Sequence, residues 1–409
     1  MSDVASRSTQ EKPAPSYQPG SQATPAPRPR ASLVRRLGQY ALLGIVVVLA
    51  IEVTARIDDW IRLGVPFMHT ASGADLRVTD SLGTHGRPLG RYQGWKLNNF
   101  GFRGPSMTAL PRPGCTRIMI LGASETMGYY ETPGKEFAAQ LRDSLKPFGC
   151  FDVVNAGIPG IGTKSIVALW NQYADRFGAQ IVMIYPTPAF YLGDETRGWP
   201  SPDPGTRTGT LPPQPSSSPT WASVPWQPRL IDRLHQTLHT PDFLQRLRLE
   251  RWIAQALRGK PPGWVWTQPP TDRVDAFMKD LDSLVTDIRA AGARPILITH
   301  AVRATVPPRR EDALLLLGWR LYSPRATTET SLRFEAVVAQ QMREYGARNG
   351  IAVADVERAL TGHGELFGDV VHFSNDGSAR VAGVLTRTLV SAGLAGPNPG
   401  SAPVGEAHP

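Results

Sequence analysis

The chain has 409 residues, 41% of them hydrophobic, which is enough for one large core or two modest ones; one principal domain is the expectation. A formal net charge of +9 would suit a nucleic-acid partner if it were spread over a folded face. Instead Arg28, Arg30, Arg35 and Arg36 crowd in front of an apolar run, which points to a membrane and away from nucleic acid.

That run, Leu37 to Ile51, carries no charge and reaches about 20 residues when Leu33 and Val53 are included, just long enough to span a bilayer. Its polar members are Gln39 and Glu52, and Glu52 is placed near the interface, where its cost is small. A cleaved signal peptide is the competing reading. It fits less well, because the run begins far from Met1 and no small-x-small cleavage site follows it. Residues 33–57 are therefore read as a single-pass anchor. Arginines on its amino side put residues 1–32 in the cytoplasm and everything after Asp58 outside, an arrangement expected of the cell inner membrane with a periplasmic domain. Residues 1–32 and 394–409 are rich in Pro, Ser, Gly and Ala without apolar periodicity, so both are expected to be disordered tails.

Residues 58–114 lead from the membrane to the core, with Gly-rich turns and the phrase LNNFGFRGP, and are read as short strands and loops. From Arg117 the pattern becomes strand (RIMIL), helix, strand (FDVVN), helix, strand (IVMIY), the βαβ logic of a parallel sheet. In the second helix Ile166, Leu169, Trp170, Tyr173 and Phe177 fall on one face and Gly178 supplies a stop. Another amphipathic helix carries Val274, Phe277, Met278, Leu281, Leu284, Val285 and Ile288, ends at Gly292 and precedes a fourth strand, PILITH. A fifth, IAVAD, starts at Ile351. A last helix shows Val381, Val384, Leu385 and Leu389. Residues 115–393 are thus expected to form a flavodoxin-like three-layer α/β/α domain with a central parallel sheet of about five strands.

Between the third and fourth strands lies an insertion at about residues 195–270, far longer than an ordinary loop. Its first half, Trp199 to Pro228, is dense in Pro, Ser and Trp. Leu230 to Leu257 reads as basic and helical, with Leu234, Leu238, Phe243, Leu247 and Trp252 as apolar points. A lid, a substrate flap, a patch resting on the bilayer and a plain structural excursion all remain open. The two cysteines, Cys115 and Cys150, each stand three residues ahead of an apolar run. On adjacent parallel strands their sulfurs would share one end of the sheet, so the pair is either a disulfide, which an oxidising compartment allows, or two small buried thiols.

Three motifs carry chemistry. GASETMG presents Ser124 in a tight turn after the first strand, where glycines let the backbone bend and amides face a substrate oxygen. VVNAGIPGIG sets Gly157 just past the second strand. GDVVHFSNDG places Asp369 and His372 three apart, a spacing at which the carboxylate can hold one imidazole tautomer while the ring takes a proton from Ser124. Each alone has a bland reading: a capping serine, a turn glycine, a surface ion pair. Together they fall on the carboxyl edge of one sheet, where open α/β domains bind ligands.

The order GxSxxxG, NAG and DxxHFSxxG resembles the SGNH/GDSL hydrolase superfamily over roughly Arg117 to Leu389, and the LNNFGFRGP lead-in resembles a stretch ahead of the serine block in membrane-anchored or secreted bacterial members. The resemblance implies a flavodoxin-like sheet and serine-based acyl transfer with no metal and no cofactor. Ser124 would be nucleophile and amide donor, Gly157 a second amide donor, His372 the base and Asp369 its orienter. Two positions depart from the family pattern: Ala123 replaces the Asp before the serine, and YPTP replaces GxND, leaving Thr187 at the place of the oxyanion-hole asparagine. Losing such a donor costs on the order of 10²- to 10³-fold in rate, and Thr187, Asn98 or Asn99 are the candidate replacements. His300 ends the fourth strand on the same edge, where it either contacts substrate or satisfies the loop.

Two functions follow as expectations. One is an extracytoplasmic serine esterase or acyltransferase acting on O-acyl esters of a glycan or lipid, deacetylation of surface polysaccharide being the preferred case. The other is a catalytically degenerate module of the same fold that binds glycan or a partner, supported by the missing asparagine.

Overall fold

In a computed structural model, residues 33–193, 213–231, 233 and 240–396 are described; the two tails' residues 1–32 and 397–409, part of the insertion, and the readings placed on Trp199, Leu234 and Leu238 lie outside them. The chain divides into two compact units after Ile51. Helix α1 runs Leu33–Leu63, and its Val34–Leu63 stretch is long and apolar enough by length and composition to cross a membrane.

The unit from Glu52 onward is built on one parallel sheet. Its strands are β5 (Thr116–Gly122), β6 (Phe151–Gly157), β7 (Ile181–Tyr185), β8 (Arg294–Ile298) and β9 (Val353–Ala354), preceded by the two-stranded hairpins β1 (Arg77–Asp80) with β2 (Gly83–Gly86) and β3 (Arg91–Tyr92) with β4 (Trp95–Lys96). The spatial order is β6-β5-β7-β8-β9, the flavodoxin-like order, with its switch point between β5 and β7. The apolar runs are buried on both faces because helices cover both. Met119, Leu121, Val182, Ile184 and Leu297 face one side, packed with α4 (Thr163–Gln172), α6 (Thr271–Ala290) and α8 (Thr328–Asn349). Ile118, Ile120, Met183, Ile296 and Ile298 face the other, against α3 (Phe137–Ser144) and α10 (Asn375–Ser391). Strict alternation along continuous apolar strands is what a doubly covered parallel sheet requires.

Three details differ from the sequence reading. Helix α4 stops at Gln172; Tyr173 breaks the helix and a 3-10 turn over Ala174–Phe177 follows. The break lets the Tyr173 ring stack on His85 at 4.0 Å and its hydroxyl donate to the Phe100 carbonyl at 2.7 Å, so a tertiary contact overrides local periodicity. The fifth strand is only two residues long. The region between PILITH and IAVAD, which sequence reading passed over, holds α7 (Ala313–Arg320) and the 22-residue α8. Within the insertion, the helix α5 spans Asp242–Leu257; ahead of it, Arg229, Leu230 and Ile231 are also helical. Between β9 and α10 lies one further short helix, α9 (Val356–Leu360).

Cys115 and Cys150 are joined by a disulfide with Cα atoms 4.5 Å apart, one position ahead of the Thr116–Phe151 pair that opens the β5–β6 register. The lead-in packs onto this sheet. Arg117, buried at its start, donates to the carbonyls of Ala109, Phe177, Thr108 and Leu110, and Asn98 and Asn99 spend their side chains inside the lead-in, on Phe100, Phe102, Pro105 and Met107.

Candidate active site

Strand β5 ends at Gly122, and Ser124 opens the single-turn helix α2 (Ser124–Met127). The glycines on either side are required by space. A Cβ on Gly122 would lie 2.0 Å from Thr126 Oγ1 and 2.7 Å from the Tyr185 carbonyl, and one on Gly157 would lie 2.4 Å from the Met127 amide. Two bare strand ends therefore let α2 settle onto the sheet edge with Ser124 facing out.

The partner motif closes on itself. Phe367 bridges Phe373, Gly368 donates to the His372 carbonyl at 2.8 Å, and Asp369 Oδ1 accepts the Val371 and His372 amides, each at 2.9 Å. Ser374 then caps α10 through the Gly377 amide. In this tight turn His372 Nδ1 lies 2.7 Å from Asp369 Oδ2 and Nε2 lies 2.8 Å from Ser124 Oγ. An ionised carboxylate on Nδ1 fixes the proton there and leaves Nε2 as the acceptor for the serine hydroxyl. Ser124 Oγ also approaches Glu125 Oε2, but at 3.4 Å; the shorter contact holds its hydrogen.

Electrostatics favour a base. Burial opposes the charged imidazole of His372, yet the Asp369 hydrogen bond and the nearby charges of Glu125, Asp369 and Glu131 outweigh it and raise its pKa above the ordinary histidine value. Burial likewise opposes the Asp369 carboxylate, and its hydrogen bonds from His372 and the two backbone amides hold its pKa below the usual range.

Gly157 and Thr187 reach the same edge but are engaged internally. The Gly157 amide donates to Asn155 Oδ1 at 3.0 Å, and the Thr187 hydroxyl donates to Glu125 Oε1 at 3.1 Å. Neither hydrogen points at a free oxyanion. His300 is sealed from solvent between two carboxylates, Nδ1 2.8 Å from Glu335 and Nε2 3.4 Å from Glu125. Burial opposes its charge, but the two glutamates more than reverse that and push its pKa up to about 10, so it is a structural imidazolium. Sequence reasoning missed Glu125 and Glu335. The first was visible as an acidic residue next to Ser124; the second lies on α8.

A second missed feature is aromatic. The Tyr129 and Tyr130 rings lie 4.8 and 5.9 Å from the His372 ring, and burial together with the Asp369 charge pushes the pKa of the Tyr130 hydroxyl up to about 12.

Fold and site together give a flavodoxin-like α/β sandwich with Ser124, His372 and Asp369 in one hydrogen-bonded chain at the carboxyl edge of its sheet. Solved structures similar to this chain include a protein of the lipolytic G-D-S-L family from Desulfitobacterium hafniense (11% identity, TM-score 0.36, covering 67% of this chain and 99% of that one). A lipase/acylhydrolase from Enterococcus faecalis has 17% identity and a TM-score of 0.39, with 69% and 98% covered. An acetyl-xylooligosaccharide esterase from Geobacillus has 13% identity and a TM-score of 0.35, with 68% and 93% covered. No family model matches the sequence, and no curated protein matches it significantly. These likenesses concern the fold, and the functional reading rests on the site's own geometry.

Proposed function

We propose that this chain is a serine ester hydrolase of the SGNH/GDSL type, anchored in the cytoplasmic membrane by α1 with the chain after Asp58 on the extracytoplasmic side. Its substrate is an O-acyl ester of a glycan or lipid, an acetylated surface polysaccharide being preferred. The observation that carries the reading is the continuous chain Ser124–His372–Asp369 at 2.8 and 2.7 Å.

In the reaction, Ser124 Oγ attacks the ester carbonyl and its proton passes to His372 Nε2, while Asp369 steadies the imidazolium. The tetrahedral oxyanion rests on the Ser124 amide, because the Gly157 amide and the Thr187 hydroxyl are already engaged. On collapse, His372 returns the proton to the leaving alkoxide, giving a free hydroxyl and an acyl-Ser124. Water, or a sugar hydroxyl in the transfer case, then attacks the acyl group with His372 again as base, regenerating Ser124.

One observation favours the second reading, a degenerate binding module: Thr187, at the place of the missing asparagine, points its hydroxyl at Glu125. The deciding experiment is labelling of the full chain in detergent micelles by a fluorophosphonate probe. Labelling that Ser124→Ala and His372→Ala both abolish supports the hydrolase. No labelling of folded wild type gives the module reading the field. Orientation has its own test: alkaline phosphatase fused after residue 393 is active if that end is extracytoplasmic, and an inactive fusion overturns the topology.

A further inference from the structure

Beside the triad, the chain displays two large aromatic side chains that packing does not require. Tyr129 is 41% and Tyr130 52% exposed, although burying such rings is worth about 1.5–3 kcal/mol each. They are not on a loose loop. The Gly128 carbonyl accepts from the Trp95 indole at 3.1 Å and from Arg103 at 2.9 Å. Buried Glu131 accepts the Tyr130 amide and the Ser378 hydroxyl, and the Thr132 amide is held by Asn375. Trp95, itself buried, braces the Tyr129 ring at 4.7 Å, and Tyr130 packs over Gly368, where a Cβ would meet its ring at 2.5 Å.

Rigidly held, solvent-facing rings next to a reacting centre are preorganised contact area, and tyrosine combines an apolar face with a hydroxyl at little entropic cost. A long acyl chain is best bound by aliphatic walls that enclose it. An open rim of tyrosines matches a flat ligand having C–H groups on its faces and hydroxyls at its edge. We infer that Tyr129 and Tyr130 form a sugar-binding subsite flanking Ser124, on which a pyranose ring stacks so that its esterified oxygen reaches the nucleophile.

This subsite deepens the hydrolase reading and rests on it for its purpose, but not for its detection. The probe is a partly O-acetylated cellotetraose, titrated calorimetrically into the full-length Ser124→Ala protein in micelles, where no turnover occurs. The expected result is saturable binding that Tyr129→Ala and Tyr130→Ala, each added to that background, weaken about tenfold, while Tyr129→Phe retains it. Tyr130, the more exposed of the two rings, remains informative if Tyr129→Ala does not fold. Absence of tetrasaccharide binding, binding indifferent to both alanine changes, or an octanoyl ester bound through the same tyrosines in preference to the sugar would each overturn the subsite. Fluorophosphonate labelling of wild type reports separately: lost labelling with tyrosine-dependent sugar binding removes the hydrolase and leaves the subsite.

Discussion

Glu125 Oε1 lies 3.4 Å from His300 Nε2 with both side chains sealed from solvent, one residue behind the proposed nucleophile. Burial opposes the Glu125 carboxylate, but hydrogen bonding and charge from His300, with a further contribution from His372, lower its pKa below the usual value. It therefore stays ionised and feeds back on His372, whose pKa it raises. The base must be neutral to accept a proton, so kcat/KM should rise with pH through a pKa above the ordinary 6.5. Replacing Glu125 by Gln removes a negative charge and should move that acid limb to lower pH. An acid limb unmoved by Glu125→Gln would show that His372 does not sense it.

The same cluster makes stability depend on pH. His300 has a folded pKa near 10 against 6.5 ordinarily, so its contribution is full below about 6.5 and is lost as pH rises through about 10. Wild-type melting temperature should fall over that alkaline window, and His300→Gln, which leaves two buried carboxylates without their cation, should cost about 3–5 kcal/mol and flatten the slope. Melting curves of the two proteins that run parallel from pH 6 to 10 would count against a charged His300.

Asp369→Asn keeps the shape of the closing turn but loses the charge that fixes the His372 tautomer. Turnover of an acetyl ester should drop on the order of 10³- to 10⁴-fold with little change in melting temperature. A loss below tenfold would show that the turn alone orients the ring.

Gly157→Ala tests space rather than chemistry. The added methyl would press on the Met127 amide, so α2 must shift or the strand must yield, at a cost of about 1–3 kcal/mol. Because Ser124 starts that helix, turnover should fall together with stability, and a variant with wild-type melting and rate would mean the edge is looser than its close approach implies.

The disulfide closes a segment of 35 residues. Cys115→Ala with Cys150→Ala should lower unfolding free energy by about 2–4 kcal/mol, chiefly by freeing the unfolded chain. Denaturant midpoints equal to wild type would place the stabilisation elsewhere.

The sheet was legible because strands buried on both faces read as unbroken apolar runs, and Ser124, Asp369 and His372 were legible because they follow such runs in a fixed order. Helix α8 was not. Its buried side includes Thr330, Ser331 and Glu335, so its inward face carries polar residues that blur the apolar period, and their reason for being inside, His300 and the α8 cap at Thr327, is tertiary. The engagement of Gly157 by Asn155 and of Thr187 by Glu125 was hidden for a like reason: each donor looks free until the acceptor's direction is known. Tyr129 and Tyr130 read as part of a turn, since exposure is a property of the fold and not of the motif.

Glu52 accepts the Arg229 and Leu230 amides at 3.0 and 2.8 Å as well as the Arg56 guanidinium at 2.6 Å, and buried Asp59 pairs with Arg229 at 2.6 Å. The last three turns of α1 are thus part of the folded unit. A version trimmed at residue 59 would uncap two amides and remove Arg56 from its carbonyl partners at Phe67 and His69. The usable cut for expression lies at Glu52, so the folded unit begins one residue after the apolar run from Leu37 to Ile51 ends.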